Sequence, residues 1–423
     1  MKGAPSTVVP RSPPRVLHVV ESWRPVPSGY AARSWWIVTG QARAAVSEPA
    51  VLVTSRQSVY RAGAAEQAPG VTVDGVAPSS VERLLRHTLP SPLARPFHVD
   101  ANALERAIVT AARRHDAELV HVHWSSAIGA AAARAAARLD VPLVAEVRFD
   151  LAGAMGAQTL RGHAAPLERL VRRRFERHLQ RAAGVVAASE ALAGLLRTSF
   201  PAIASRLHVV PNGIDASFLS RCDEARTHEV ARDRVTLGTT SKMLRYENLD
   251  ALIELCSTRP ALDLLFIGDG PERTRLERRA APLNAERAGR VHFTGRLAAR
   301  EIPARLADID LFVVPRSDLV ITRFASPIKV VEAMAAARAI VATAVGDTTR
   351  LLEDGRGVLV PPGNLRALGA AIDALAADRP RREALGRSAR ARVAGDYDGD
   401  TLLAHYADVY AAASGRAFAE RRS

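Results

Sequence analysis

The chain has 423 residues, 48% of them apolar, and its 58 Lys and Arg against 44 Asp and Glu give a formal net charge of +14. That length exceeds one ordinary core and suits two domains. No run of about 18 uncharged apolar residues appears that would make a membrane-spanning helix, and the two cysteines, Cys222 and Cys256, offer neither a disulfide framework nor paired metal-ligand spacing, which fits a reducing cytoplasm. A positive surface attracts nucleotide-sugars, lipid headgroups or nucleic acid, or is simply solvated charge.

In chain order, residues 1–14 read as a flexible arm, with four prolines and no apolar leader core. Strands are expected at Arg15–Val20, Ala50–Thr54, Leu119–His123, Pro142–Val147, Gly184–Ala188 and Leu207–Val210. Helical patterns intervene, as at Ala101–Arg114 and Ala127–Leu139. A second series follows at Val235–Gly238, Leu262–Ile267, Val291–Thr294, Leu311–Pro315, Ala339–Ala342 and Gly357–Val360. Strands alternating with helices give parallel sheets covered on both faces, so two doubly wound α/β domains are expected. The domains run over 15–215 and 234–395, with a polar linker at 216–233. Residues 396–423 carry a helix whose apolar face, Leu402, Leu403, Tyr406, Val409 and Tyr410, packs back on the first domain.

The densest signal runs from Ile309 to Asp347. A buried strand ends at Pro315-Arg316, and Ser326-Pro327 then opens a helix, with serine expected as N-cap and proline at the first helical position. The amides and dipole of a helix start attract anions. Lys329 adds a charge in the first turn. Glu332, three residues on and on the same face, is placed to accept hydrogen bonds from a ribose diol. Phosphate at the helix start and a carboxylate one turn later suit a nucleoside diphosphate.

This segment resembles the donor site of the family-4 retaining glycosyltransferases, which have the GT-B fold of two Rossmann-like domains facing across a cleft. The match is to a subgroup with Thr/Ser-Pro-Leu/Ile-Lys-x-x-Glu-Ala-Met-Ala, through Arg316, Thr322, Pro327, Lys329, Glu332, Ala333 and Met334. PSGYAARS at Pro27–Ser34, LVHVHWSS, AEVRFD, VVPNGID, GTTSKMLRYENLDALI, FIGDGPE and VHFTGRL follow in the family's order over roughly residues 15–412. The resemblance implies transfer from a nucleotide-sugar, UDP-sugar first, with retention at the anomeric carbon. The leaving phosphate helps deprotonate the acceptor, and neither metal nor cofactor is expected. It implies an acceptor held by the N-terminal domain: a small molecule, a glycan or a lipid-linked sugar.

The roles implied are as follows. Lys242, Arg245 and Lys329 neutralise the diphosphate, which lowers the barrier as charge develops on it. For all three ordinary surface charge is the alternative. Glu332 holds the ribose. Gly268, Arg296, Arg316, Ser326, Pro327 and Ile328 complete the donor site. Gly29, at a strand-to-helix turn, lets backbone approach a ligand, and Tyr30 and Arg33 face the cleft one turn apart. His123, nearest the carboxyl end of its strand, contacts the donor sugar, while His121, on the same face, suits a core role. Glu146, Arg148 and Asp150 line the acceptor side or form an internal ion pair. The chain departs from the family at Phe324, where most members carry the first of two glutamates, at Arg323, where the subgroup has an acidic residue, and at Glu247, where the family carries a lysine.

Gly268-Asp269-Gly270 lacks the third glycine of a dinucleotide fingerprint, and Asp308-Ile309-Asp310 reads as a strand cap rather than a metal site. The basic Leu160–Ala182 segment has an apolar stripe of Leu167, Leu170, Val171, Phe175 and Leu179. It is a packing helix or a peripheral contact with anionic membrane at the inner face. The rival functions are an epimerase or phosphorylase on the same fold, a non-catalytic nucleotide-sugar binder, and a nucleic-acid binder. The last lacks any reader motif, so no nucleic-acid partner is expected.

Overall fold

The computed structural model describes residues 12–26, 29–54, 65–76, 100–124, 126–148, 173, 175–227 and 234–415. The first half runs β1 (Arg15–Val20), α1 (Gly29–Arg43), β2 (Glu48–Val53), β3 (Thr72–Gly75), α2 (Ala101–Arg114), β4 (Leu119–Trp124), α3 (Ser126–Leu139), β5 (Leu143–Val147), β6 (Gly184–Ala187), α4 (Glu190–Ser199) and β7 (Leu207–Val209). The second half continues α5 (Ala216–Thr227), β8 (Val235–Ser241), α6 (Asp250–Ser257), β9 (Leu262–Gly268), α7 (Arg273–Glu286), β10 (Val291–Phe293), α8 (Ile302–Ala307) and β11 (Leu311–Val314). It ends with α9 (Val320–Phe324), α10 (Ile328–Ala335), β12 (Ala339–Thr343), α11 (Asp347–Leu352), β13 (Val358–Val360), α12 (Leu365–Ala377), α13 (Arg379–Asp396) and α14 (Gly399–Ser414).

Two parallel sheets result, ordered β3-β2-β1-β4-β5-β6-β7 and β10-β9-β8-β11-β12-β13. The expected doubly wound architecture is therefore present twice. Central strands are buried end to end because helices cover both faces, as in β5 and β11; β11 is wholly apolar, and β5 is apolar but for Glu146. The edge strand β3 had no counterpart in the sequence pattern. Its TVDG is half-exposed and too polar to stand out. Helix starts follow side-chain capping where a short polar residue stands: Asp100 accepts from the amides of Asn102 and Ala103, and Ser189 from that of Leu192.

Contacts divide the chain into one unit of residues 1–210 with 400–423, and a second of 211–399. The expected linker at 216–233 needs correcting over its first part. Ala216–Thr227 forms α5, and its Cys222 is buried in the second unit's core beside Leu306 and Met334. The polar stretch is an amphipathic helix whose few apolar residues sufficed to dock it. In the first unit α14 lays Leu402, Leu403, Tyr406, Val409 and Tyr410 against Val16, Ile37, Leu119 and Val144. Gly40 lets it approach, since a methyl group there would overlap the Leu403 side chain. Of the basic segment, Phe175 and Leu179 are buried in the first unit, while Leu167, Leu170 and Val171 lie outside the described residues, as do 1–11. No helix among the described residues is long and apolar enough to cross a membrane. Asp310 accepts from the Thr236 amide at 2.8 Å, capping the start of β8 as expected.

Candidate active site

In each sheet the order in which strands are added reverses beside its first strand, between β1 and β4 and between β8 and β11. The carboxyl ends of strands flanking such a reversal leave a crevice where doubly wound sheets take ligands. In the second unit those ends carry Lys242 after β8 and Arg316 after β11. Two glycines draw the neighbouring loop in. Gly268, at φ +124°, lies where any side chain would overlap the Ser241 carbonyl, and one at Gly270 would overlap that of Lys242. The Gly-Asp-Gly run is thus a close-packing device that sets the loop bearing Lys242.

Glu247 sits in a short turn, Arg245–Glu247, and points inward. Its carboxylate accepts from Arg316 Nη2 at 3.0 Å and from Lys329 Nζ at 2.5 Å. All three residues are buried. Burial alone pushes the Glu247 carboxyl up, but Lys329 and then Arg316 outweigh it and hold the group down at about 2. Burial lowers the Lys329 ammonium, with Glu247 opposing. The cluster is two cations around one anion at the carboxyl end of the sheet.

Helix α10 begins one residue later than the sequence pattern suggests. Pro327, with ψ 89°, is the N-cap and Ile328 the first helical residue, and no side chain caps the start. Ser326 is displaced one position upstream, where its carbonyl accepts from Asn212 Nδ2 at 3.3 Å. A proline at the cap has fixed φ but no side-chain acceptor, so the first amides of α10 are not claimed by a serine hydroxyl. One turn on, Glu332 is half-buried and makes no hydrogen bond to protein among the described residues. Burial pushes its carboxyl up to about 7, against the pull of Lys329. A carboxylate desolvated without a partner is poised to accept from a ligand. Lys242, Arg245 and Arg296 are exposed, and of these Lys242 lies close enough to Glu247 to feel its charge. Arg323 is exposed and paired with Asp318 at 2.6 Å, and Phe324 is half-buried.

The first unit assembles a different cluster. Glu146, fully buried on β5, accepts from Arg33 Nε at 2.8 Å, Arg148 Nε at 2.6 Å and Tyr406 Oη at 2.7 Å. Burial pushes its carboxyl up, yet Arg148 and Arg33 hold it well below the usual carboxylate range. Arg148 also donates to the Tyr30 carbonyl at 2.8 Å, to Ser34 Oγ at 2.9 Å and to His123 Nδ1. Arg33 donates to the Val210 carbonyl at 2.6 Å. Of the two readings of the Glu146–Arg148 pair, the internal ion pair is the one present. Arg33 and Arg148 are both buried with their donors on protein acceptors, as a buried guanidinium must be. His123 is likewise buried. A guanidinium cannot accept, so Nδ1 is the acceptor and Nε2 carries the proton toward His18 Nδ1 at 3.0 Å. Burial, then Arg148, keeps this imidazole neutral, well below its ordinary value. Gly29 and Tyr30 are exposed at the start of α1, and Asp150 lies outside the described residues.

The comparisons with known proteins agree with this fold. Residues 57–218 match the family described as Glycosyltransferase Family 4, and residues 234–378 match Glycosyl transferases group 1. The protein is a glycosyltransferase of the GT-B fold. It is 26% identical to a GDP-mannose-dependent alpha-mannosyltransferase of Mycobacterium tuberculosis, over 79% of this chain and 83% of that protein. It is 27% identical to an alpha-D-kanosaminyltransferase of Streptomyces kanamyceticus over 55% of this chain, which spans 63% of that relative. Among solved structures, Anabaena HepE in complex with UDP and glucose superposes with a TM-score of 0.67 at 20% identity, covering 93% of this chain and 98% of that one. A sucrose-phosphate synthase from Thermosynechococcus elongatus gives 0.73 at 17%, over 94% and 98%.

Sequence reasoning missed three features of this glycosyltransferase. His18 on β1 stands level with His121 on β4 and forms a trio with His121 and His123, whose ligand atoms lie within 4.8 Å of one another. The signal was there, a histidine in a buried strand, but only strand pairing brings it to the others. The cluster's charge argues against a metal ion. A divalent cation would add to two buried guanidiniums held by one carboxylate, and Arg148 already occupies the His123 nitrogen. The second is the pair Tyr406 and Tyr410, which close the polar cluster from α14. Tyr410 Oη meets His121 Nδ1 at 2.8 Å. The third is Glu247, read as a departure and found at the centre of the cation group.

Proposed function

We propose that this glycosyltransferase moves a sugar from a nucleoside diphosphate donor, a UDP-sugar in the first instance, to a small-molecule, glycan or lipid-linked acceptor with retention and without a metal. The observation that carries the reading is the second unit's group of Lys329, Arg316 and Glu332. Two buried cations meet the start of a helix with no side-chain cap, and a carboxylate that makes no hydrogen bond among the described residues stands one turn along it. A diphosphate takes the cations and the free amides; a ribose diol donates to the carboxylate. Leaving-group charge is then stabilised in place, each well-placed contact contributing roughly 2–4 kcal/mol to the barrier. Lys242, Arg245 and Arg296, all exposed, add long-range attraction for the donor.

The choice of uracil follows the resemblance of the donor motif and the UDP bound in HepE. The mannosyltransferase relative, named for GDP-mannose, makes guanine the alternative. A donor panel tests both. Thermal stabilisation and hydrolysis are measured with UDP-, GDP-, ADP- and dTDP-sugars, with and without EDTA. Stabilisation by one nucleotide class with slow donor hydrolysis, unaffected by EDTA, is the expected result. Free isomerised donor would instead identify an epimerase, and binding without any turnover a non-catalytic binder.

A further inference from the structure

Glu247 occupies the position that the two buried cations would otherwise present to an anion. Glu247 Oε1 accepts from Arg316 Nη2, and Oε2 accepts from Lys329 Nζ and, at 3.4 Å, from Arg316 Nε, so the carboxylate bridges the two cations as a phosphate would. The turn carrying Glu247 is tied to the loop after β11, since the Ser317 amide donates to the Tyr246 carbonyl at 3.0 Å. Freeing the cations therefore needs a rotation of the Glu247 side chain rather than an opening of the loop. With Glu247 in place the trio carries a net single positive charge; with it turned away, the cations offer two.

We propose that Glu247 is an internal counter-ion of the donor site, displaced from Lys329 and Arg316 by the nucleotide's diphosphate, and that it thereby limits nucleotide affinity and speeds nucleotide release. The proposal rests on the donor-site reading above. A diphosphate carries more charge than one carboxylate and wins the exchange, but part of its binding energy is consumed in unpairing a buried anion. A neutral residue of the same shape removes that competition and also leaves the cations unpaired in the empty site, so both effects favour the bound state.

The test measures binding of UDP, GDP and inorganic pyrophosphate by calorimetry to the full chain and to Glu247→Gln, Glu247→Asp and Lys329→Gln, each checked for a cooperative melt. Glu247→Gln is expected to bind its preferred nucleotide at least tenfold more tightly, with stronger product inhibition. Glu247→Asp, which keeps the charge and so protects the fold, is expected to tighten binding by a smaller factor as its shorter arm draws back. Lys329→Gln is expected to weaken binding. If Lys329→Gln weakens binding while both Glu247 variants leave it unchanged or weaker, the donor site stands and the counter-ion role is overturned. If Lys329→Gln leaves every affinity unchanged, the donor-site reading fails and the counter-ion role falls with it.

Discussion

Replacing Glu332 by Gln separates the proposed ribose recognition from the rest of the proposed donor site. The wild-type carboxylate has no hydrogen-bond partner in the protein among the described residues, and burial holds it at about 7. A hydrogen bond to a charged group contributes about 1.5–3 kcal/mol, so its loss should weaken nucleotide binding about 10- to 150-fold at pH 8. Protonation has the same direction. Wild-type affinity should fall as pH drops from 8 to 6 through the raised value, whereas the glutamine variant should be flat. The unliganded fold gives an opposite sign. A carboxyl whose folded value lies above its ordinary 4.5 keeps its proton where the unfolded chain has lost it. Its contribution to stability therefore declines as pH climbs from about 4.5 to 7. The variant should lack that decline and be more stable than wild type at pH 8, by on the order of 1–2 kcal/mol after allowing for solvent around the side chain. Calorimetry with a nucleoside diphosphate and its 2′,3′-dideoxy counterpart at pH 6, 7 and 8, with melts at each pH, reads all of this. Affinity within twofold of wild type at pH 8, or an equal loss for the dideoxy nucleotide, would refute the ribose assignment.

Glu146→Ala strands Arg33 and Arg148 without a counter-charge and should cost about 3–5 kcal/mol. At about 2–4 °C per kcal/mol the first unit's Tm should drop by about 6–20 °C, and a shift under 2 °C would show that water reaches the cluster. Gly270→Ala places a methyl group on the Lys242 carbonyl. It should displace the loop after β8 and lower nucleotide affinity at least fivefold, with α10 intact; unchanged binding would remove Lys242 from the site. Glu247, held at about 2 against an ordinary 4.5, contributes stability that is fully present above pH 4.5 and lost as pH falls toward 2. Guanidine unfolding across that window should show an acid limb that flattens in Glu247→Gln.

The alternation of apolar runs with helical periods determined by itself that two doubly wound sheets form, because a strand covered on both faces reads as a near-continuous apolar run, as β11 does throughout and β5 does but for Glu146. The Ser-Pro-Ile-Lys-x-x-Glu pattern marked the start of α10 to within one residue, because proline and the i, i+3 spacing are local facts. What the chain could not reveal locally was which polar residues are consumed by the protein. Arg33 and His123 read as ligand-facing, and Arg148 as either ligand-facing or ion-paired, because each stands near a strand end or helix start. Strand pairing and the two tyrosines of α14, more than 200 residues away in sequence, turn them inward around Glu146. Glu247 reads as a loss of charge in the sequence, and the tertiary structure makes it the partner of Lys329 and Arg316, since only the folding of two loops at one sheet edge brings the three within hydrogen-bond reach.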